Sequence, residues 1–275
     1  MNKNIYPAIW FNNNAKQAFE RYTTLFPNST IRLSNPVAIS ADLLHTPFIG
    51  INGGPHFTPN PSISFMVICE KKEEIDTLYH NLTSGGDVLM PLQAYPWSPY
   101  YGWVNDTYHV SWQLYQGSRS AVNEQAIVPT LMFCGEQQGK CEEALAFYRT
   151  VFNDFQSQGI DYYQDGDMQG QVMHTQFMIH NYTVMAMDSG VPQPFTFNEG
   201  ISIVIECANQ QEIDYYWNAF VGHGGEESRC GWCKDPYGVS WQVVPKHLHQ
   251  LLQDYPQAND ALMNMNKIVI NDLKK

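Results

Sequence analysis

The chain has 275 residues, of which 44% are hydrophobic and 15% charged, and its formal net charge is −12. This acidic balance, without a stripe of Lys and Arg, excludes a sequence-independent grip on nucleic-acid phosphates. The first residues lack the apolar run of a signal peptide, and no window approaches the roughly 18 apolar residues of a membrane span. We therefore expect a cytoplasmic protein with two domains, with no nucleic-acid or membrane partner and with reduced cysteines.

The first predicted elements are a strand and an amphipathic helix. Ile5–Phe11, "IYPAIWF", has the β-branched and aromatic residues of a strand. Apolar residues then recur at spacings of three and four, at Ala15, Ala18, Phe19, Tyr22, Leu25 and Phe26. This spacing predicts a helix that Pro27 ends.

A second strand and helix follow a short meander. The meander is predicted at Ile31–Val37 and Thr46–Ile51, the strand at Ile63–Cys69, "ISFMVIC", and the helix near Glu74. The stretch 87–101, rich in Pro, Tyr and Trp, is predicted to be an inserted loop. Residues 101–113, "YGWVNDTYHVSWQ", then read as a strand, a turn around Asp106 and a second strand.

The same order of elements recurs in the second half of the chain. Strands are predicted at Ile127–Phe133, Gly170–His180, Tyr182–Met187 and Ile201–Cys207, with helices beginning near Cys141 and Glu212. The segment Cys230–Pro245, "CGWCKDPYGVSWQVVP", copies the earlier motif, with Gln242 placed 129 positions after Gln113. The chain therefore contains a tandem duplication.

These patterns predict an α+β fold in which each repeat holds two βαβββ modules. We expect domain 1 at residues 1–121, domain 2 at 122–245, and a helical tail at 246–275 packed on domain 2. The two modules of one repeat are expected to pair their sheets, because neither buries its helix and a sheet face alone. The two domains should pack as an internal pseudo-dimer, and a further homo-oligomer is left open.

The motifs resemble a known family. The turn Gly53–Phe57, "GGPHF", the "EID" helix starts and "GWxKDxxGVSWQVVP" at the end of domain 2 are similar to the PhnB-like branch of the vicinal oxygen chelate superfamily. That superfamily also holds glyoxalases, extradiol dioxygenases and bleomycin-resistance proteins, and many PhnB-like members carry the label 3-demethylubiquinone-9 3-methyltransferase domain. The resemblance implies tandem glyoxalase-like domains with curled mixed sheets.

The resemblance also locates the positions that hold a divalent metal in metal-dependent relatives. In this chain they carry Tyr6 and Val128 on the first strands, Ser62 and Gly200 on the fifth, and Gln113 and Gln242 on the last. Only the two glutamines have donor atoms suited to a divalent metal, and a single neutral amide makes a weak site. We therefore expect no family-type metal centre and no cofactor.

The candidate ligand-binding residues are aromatic or polar side chains in the repeated motifs: Trp10, His56, Trp103, Gln113, His174, Phe197, Trp232 and Gln242. Because strand neighbours alternate, the two glutamines should face a cleft of their own domain while Trp112 and Trp241 pack away from it. His174 and Gln242 are the catalytic candidates, with His174 a possible proton shuttle. The alternative for His174 is a hydrogen-bonded strand histidine, and for His56 a turn residue.

Two further features leave alternatives open. Cys230 and Cys233 have the spacing of a redox pair or half of a zinc site, but His247 and His249 do not supply the second half, which favours two buried thiols. The favoured function is the binding of a small apolar or aromatic ligand. The alternatives are a metal-dependent or His-assisted enzyme and, third, a methyltransferase, although the chain lacks the Gly-rich turn of a nucleotide site. The diverged loops predict that the two domains differ in ligand binding.

Overall fold

The computed structural model describes residues 4–275, which divide into two compact units. One unit is residues 7–201, and the other combines residues 4–6 with 202–275. None of the helices in the described part of the chain is long and apolar enough to span a membrane.

The order strand, helix and three strands occurs four times, as the repeat predicts. The first repeat contains β1 (Ile5–Phe11), α1 (Ala15–Leu25), β2 (Thr30–Ser34), β3 (Ala38–Leu43), β4 (Thr46–Asn52), β5 (Ile63–Cys69), α2 (Lys72–Thr83), β6 (Asp87–Tyr95), β7 (Ser98–Asn105) and β8 (Ser111–Gln116). The second repeat contains β9 (Ile127–Phe133), α3 (Cys141–Val151), β10 (Gln156–Tyr162), β11 (Val172–Ile179), β12 (Tyr182–Asp188), β13 (Ile201–Cys207), α4 (Gln210–Val221), β14 (Glu226–Glu227), β15 (Trp232–Lys234) and β16 (Ser240–Pro245). The tail contains α5 (Leu248–Asp254), α6 (Ala258–Met263) and α7 (Ile270–Leu273).

The unit of residues 7–201 holds a mixed sheet of eight strands in the order β10-β11-β12-β9-β5-β8-β7-β6. At its centre, β5 and β9 run antiparallel, with Ser64 opposite Thr130 and Met66 opposite Val128. Both strands are buried at every position, which explains why they are apolar except at Ser64 and Thr130. In the same unit, the chain also forms the array β1-β4-β3-β2.

This sheet corrects the expected pairing of modules. Its halves are the second module of the first repeat and the first module of the second repeat, rather than the two modules of one repeat. Each of these two modules still pairs its half-sheet with that of another module, as burial of a sheet face requires. Sequence periodicity shows that a sheet face needs a partner but does not say which of three equivalent modules supplies it.

The inserted stretch 87–101 is not a loop. It forms most of a long hairpin in which β6 pairs with β7, with register shifts along its length. Pro91 is tolerated because β6 is an edge strand of the sheet, where a missing N–H costs no ladder bond. Two more strands, β3 and the edge strand β10, were missed because they are rich in small or polar residues.

The unit of residues 4–6 and 202–275 contains the strand order β13-β16-β15-β14, with β13 parallel to β16. The tail packs on this unit through backbone and charged contacts. Gln210 of α4 bonds the backbone at Ile268 and Ile270, Lys267 pairs with Asp214 at 2.7 Å, and Gly231 N donates to Asn266 O at 2.8 Å. Ile268 is fully buried, which anchors the segment before α7.

Candidate functional site

The duplicated motif builds the same turn twice. Asp106 accepts hydrogen bonds from the backbone N–H groups of Tyr108 and Val110, and its Oδ2 accepts from Trp112 Nε1 at 2.9 Å. In the second copy, Asp235 accepts from Tyr237 N and Val239 N, and from Trp241 Nε1 at 3.0 Å. Both carboxylates are buried, so these bonds satisfy oxygens that have left water. Desolvation still raises the pKa of Asp106 above its usual value, against the lowering effect of the bonds.

On the last strand of each copy, the adjacent Trp and Gln side chains point to opposite faces of the sheet. Trp112 is fully buried against Tyr22 and Phe26 of α1, with ring centroids 5.2 and 5.1 Å apart. Gln113, one residue later, points to the other face of the sheet. We call this second surface the Gln113 face, formed by the in-register residues Met185, Thr130, Val128, Ser64, Met66, Ser111, Gln113 and Trp103.

The polar groups at the centre of the Gln113 face bond to one another. Gln113 Nε2 donates to Ser64 Oγ at 2.7 Å, and Tyr101 donates its hydroxyl proton to Gln113 Oε1 at 2.6 Å. Trp103 Nε1 donates to Ser111 Oγ at 2.7 Å. The amide of Gln113 is thereby held at both ends by neighbouring protein groups.

The rest of the Gln113 face is apolar and enclosed. A buried cluster joins Met66, Ile68, Tyr101, Val122, Val128 and Met185, with Met90, Tyr95, Trp103 and Tyr115 packed against it. Trp97, at the tip of the β6–β7 hairpin, stacks on Tyr95 and touches Tyr101 edge-on while 53% exposed. The hairpin therefore brings aromatic side chains from solvent to the buried cluster.

One buried hydroxyl on this face is not satisfied. Thr130 is 2% exposed, and its Oγ1 has no hydrogen-bond partner among the described residues. It lies between Met185 and Ser64 in neighbouring strands. Asn105 Oδ1, on β7 opposite Ser111, is also buried without a partner. Two unsatisfied polar atoms therefore lie along one row of an otherwise apolar surface.

His174 lies on the same sheet. It alternates along β11 with Thr175 and Phe177, and Phe177 stacks on Tyr148 of α3, so His174 points to the face opposite α3. Its register on β11 places it beside Met187 of β12, on the Gln113 face. Burial lowers the pKa of this imidazole, and Asp161 on β10 opposes the shift. The histidine is therefore held neutral near pH 7.

The unit of residues 4–6 and 202–275 carries an equivalent surface, the Gln242 face. Gln242 lies between Trp232 and Val204 in register, and its Nε2 donates to Ser202 Oγ at 2.9 Å. Trp241 faces the other way and stacks on Phe220 of α4 at 4.7 Å. Trp103 lies inside β7 and Trp232 opens β15, each beside its own glutamine.

Besides Trp232 and Gln242, three candidate residues do not lie on the Gln113 face. Trp10 Nε1 donates to Gly54 O at 2.7 Å, and its ring meets Phe57 edge-on; a Cβ on Gly53 would lie 2.0 Å from that ring. His56 is exposed in this turn. Phe197 is buried against Phe133, which points to the face of β9 opposite Val128 and Thr130.

The residues at the family's metal positions do not fit a divalent ion on the Gln113 face. Val128 offers no donor atom, and both ends of the Gln113 amide are bonded to protein groups. Among residues 4–275, no group of three or more His, Cys, Asp or Glu side chains is arranged to hold a metal.

The cysteine pair is split between environments. Cys233, 1% exposed, lies opposite Trp241 in register, whereas Cys230 is half-buried with Sγ 3.7 Å from Met263 Sδ. Burial raises the pKa of both thiols.

Several residues of these faces were not singled out from the sequence. They are Ser64, Thr130, Met66, Met185 and Glu206. The shared "IS" that opens both Ile63–Cys69 and Ile201–Cys207 was a usable signal for Ser64 and Ser202, since a repeated polar residue in an apolar strand indicates a bonded role.

Comparison with known proteins decides the family. The model of the family described as 3-demethylubiquinone-9 3-methyltransferase matches residues 3–115 and 125–244, once for each repeat. A PhnB protein from Bacillus cereus is 36% identical over 41% of this chain and 98% of its own, with a TM-score of 0.38. The chain belongs to this PhnB-like family. The resemblance inferred from the motifs is thereby confirmed.

The fold of this PhnB-like protein matches that of a solved structure of similar length. Glyoxalase I from Zea mays superposes over 92% of this chain and 96% of its own with a TM-score of 0.57 at 10% identity. An identity this low shows the fold alone. The predicted α+β class with tandem glyoxalase-like domains is confirmed. No curated protein matches the chain.

Proposed function

We propose that this PhnB-like protein binds a small, uncharged, largely apolar or aromatic molecule on the Gln113 face, without a family-type metal ion. The observation that carries the proposal is the buried Thr130 hydroxyl without a partner, within a surface of Met, aromatic and uncharged polar side chains. A buried polar group is normally hydrogen-bonded, so a ligand or water group is expected at Thr130 Oγ1. The surroundings of Thr130, which are Met185, Ser64, Met66 and Val128, carry no charged side chain, and this favours a neutral ligand.

Access to the face is supplied by the β6–β7 hairpin. Because Gln113 and Val128 are almost fully buried, a ligand must displace side chains to reach them. Trp97 is the exposed member of the aromatic stack that leads to Tyr101, and it lies at the hairpin tip. We propose that movement of this tip admits the ligand. The flexible thioethers of Met66, Met90 and Met185 would adapt to its shape.

The test is a thermal-shift and calorimetry screen with uncharged aromatic alcohols and ketones, using wild type and Thr130→Val. A compound that binds only the folded protein raises the melting temperature. Thr130→Val should leave stability unchanged or higher and weaken binding of hydroxyl- or carbonyl-bearing ligands by about 2- to 10-fold, one hydrogen bond. Thr107→Val, at an exposed position, is the matched control. A screen without any stabilising compound, or equal affinities for the two variants, contradicts the proposal.

A His-assisted enzyme of the glyoxalase or dioxygenase type is the second candidate. It is favoured by one observation, that the neutral His174 lies on the Gln113 face. A neutral imidazole can accept a proton from a substrate at pH 7. Metal analysis of the purified protein distinguishes the metal-dependent form, because that hypothesis requires a stoichiometric divalent ion. Loss of turnover in His174→Gln with retained ligand binding would support the metal-free form.

The methyltransferase activity in the family's description is the third candidate. Its test is a thermal-shift measurement with S-adenosylmethionine. A rise in melting temperature would favour it over simple ligand binding.

We also propose that the two repeats interact as the protomers of a dimer do. The antiparallel joining of β5 to β9, which links the repeats within one sheet, supports this. The proposal expects a monomeric full chain of 31.5 kDa, which light scattering measures; a stable higher oligomer would show that the chain has a further interface.

A further inference from the structure

The two glutamine faces differ in one hydrogen bond. On the Gln113 face, Tyr101 donates to the amide oxygen of Gln113. The repeat places Cys230 at the position of Tyr101, and its thiol contacts Met263 instead. Gln242 Oε1 therefore has no hydrogen-bond partner among the described residues, although Gln242 is only 7% exposed. The amide oxygen of Gln242 is thus available to a ligand on this face, while its nitrogen is bonded to Ser202.

The Gln242 face also carries a charge that the other face lacks. Its repeat positions replace Val128 and Ile68 by Tyr6 and Glu206. Tyr6 donates its hydroxyl proton to Glu206 Oε1 at 2.9 Å. Glu206 follows Val204 by two residues on β13, so both point to the side of the strand on which Gln242 lies. The carboxylate and the free amide oxygen are thus diagonal neighbours, roughly 7–8 Å apart at their Cα atoms.

Glu206 has no ion-pair partner within the part of the chain that the structure describes. Ser240 Oγ, on the same side of β16 as Gln242, is buried and unsatisfied within the described residues. The surface therefore presents acceptor oxygens, with the half-buried Trp232 ring beside Gln242. Lys234 lies on the same side opposite Ser240, where it pairs with Glu226 rather than with Glu206.

Divalent metal binding is disfavoured by the state of Tyr6. Burial and the neighbouring Glu206 raise the pKa of the Tyr6 phenol, so the hydroxyl stays protonated. It donates a hydrogen bond to the carboxylate of Glu206. Glu206 is then the one anionic ligand at hand, and a divalent ion needs several converging donors. A protonated amine needs fewer protein ligands than a divalent ion. Its N–H groups donate to the acceptor oxygens, and its charge is stabilised by the face of an aromatic ring.

We propose that the Gln242 face binds a small organic cation, a protonated amine. Its N–H groups bond Glu206 and the carbonyl oxygen of Gln242, and its charge lies against the Trp232 ring. The net charge of −12 raises the local concentration of such a ligand. This site is separate from the neutral ligand site of the Gln113 face and does not depend on it.

The test compares 2-phenylethylammonium with its uncharged isostere 2-phenylethanol by calorimetry on the full chain. We expect the ammonium to bind more tightly than the alcohol, and its affinity to fall with added salt. Glu206→Gln should weaken the ammonium on the order of ten-fold or more, because a charge-assisted bond is lost, and leave the alcohol unchanged. Glu73→Gln, which removes the same charge from an exposed position on α2, is the matched control and should have little effect.

Other outcomes overturn the proposal. Equal binding of ammonium and alcohol, no saturation at millimolar ammonium, or equal effects of Glu206→Gln and Glu73→Gln each contradict it. Competition by Ca²⁺ or Mg²⁺ at micromolar concentration would instead assign the face to a metal. If Glu206→Gln lowers the melting temperature, Gln242→Met is the second variant to measure, because it removes the amide oxygen without changing the charge. It should weaken the ammonium several-fold.

Discussion

Tyr101 donates its hydroxyl proton to Oε1 of Gln113 across the pair β7–β8, at 2.6 Å, while Gln113 Nε2 donates to Ser64 at 2.7 Å. A buried amide is thus fixed at both ends by neighbouring strands. Its repeat counterpart Gln242 keeps only the serine bond. The same motif residue is therefore closed in one copy and open in the other, which is the structural basis for expecting the two faces to differ in ligand binding.

Removing the Tyr101 hydroxyl should destabilise the protein. Tyr101→Phe leaves Gln113 Oε1 buried without a partner, which costs about 1–3 kcal/mol in the free energy of unfolding. Tyr95→Phe is the control, because Tyr95 donates to Pro91 O at an exposed position and its loss should cost under about 0.5 kcal/mol. Urea unfolding measures both. Equal losses would show that the bond to Gln113 is not special.

Trp241 and Gln242 should separate stability from binding. Trp241→Ala removes a ring that is 2% exposed and should cost about 3–5 kcal/mol. Gln242→Ala loses the bond to Ser202, about 1 kcal/mol, but should weaken the amine probe at the Gln242 face. Unfolding curves and calorimetry on the two variants make the comparison. Similar losses of stability in both would contradict the assignment of opposite faces.

His174 should make stability fall with acidification. Its pKa in the folded protein lies below the ordinary value of 6.5, so below pH 6.5 the unfolded chain binds a proton that the folded protein does not. The contribution is fully present above pH 6.5 and is lost as pH falls through the lowered pKa. His174→Gln should flatten this part of the curve in urea unfolding between pH 7.5 and 5. If the free energy of unfolding of His174→Gln falls with pH as steeply as that of the wild type, the effect does not come from His174.

The six cysteines should be unreactive in the native protein. Burial raises the pKa of every thiol, to about 12 for Cys69, Cys134 and Cys207, so thiolate is scarce at neutral pH. Iodoacetamide with mass spectrometry should label the native chain at Cys230 at most, and slowly, since that thiol is half-buried. All six should react after unfolding. Rapid native labelling of Cys233 would restore the redox hypothesis for the pair.

Local pattern in the sequence determined most of the elements of this PhnB-like protein. The strands Ile5–Phe11, Ile63–Cys69 and Ile201–Cys207 have the bounds expected from their apolar runs, because a buried central strand is apolar throughout. The duplication of "GW…VSWQ" gave the repeat, and alternation along β8 gave the opposite orientations of Trp112 and Gln113. Edge strands such as β10 were missed because their exposed residues carry no apolar period.

Only the tertiary structure decided which modules share a sheet. Periodicity specifies that β5 and β9 each need a neighbour, but the hydrogen-bonding edges of the strands are alike and the choice depends on the packing of the whole chain. The same holds for the site. The spacing of the motif places Gln113 and Gln242 at equivalent positions. Their hydrogen bonding differs because Tyr101 bonds the amide oxygen of Gln113, whereas Cys230, at the equivalent position, contacts Met263 and leaves the oxygen of Gln242 free. The sequence of one strand does not specify which side chain of a neighbouring segment lies within bonding distance.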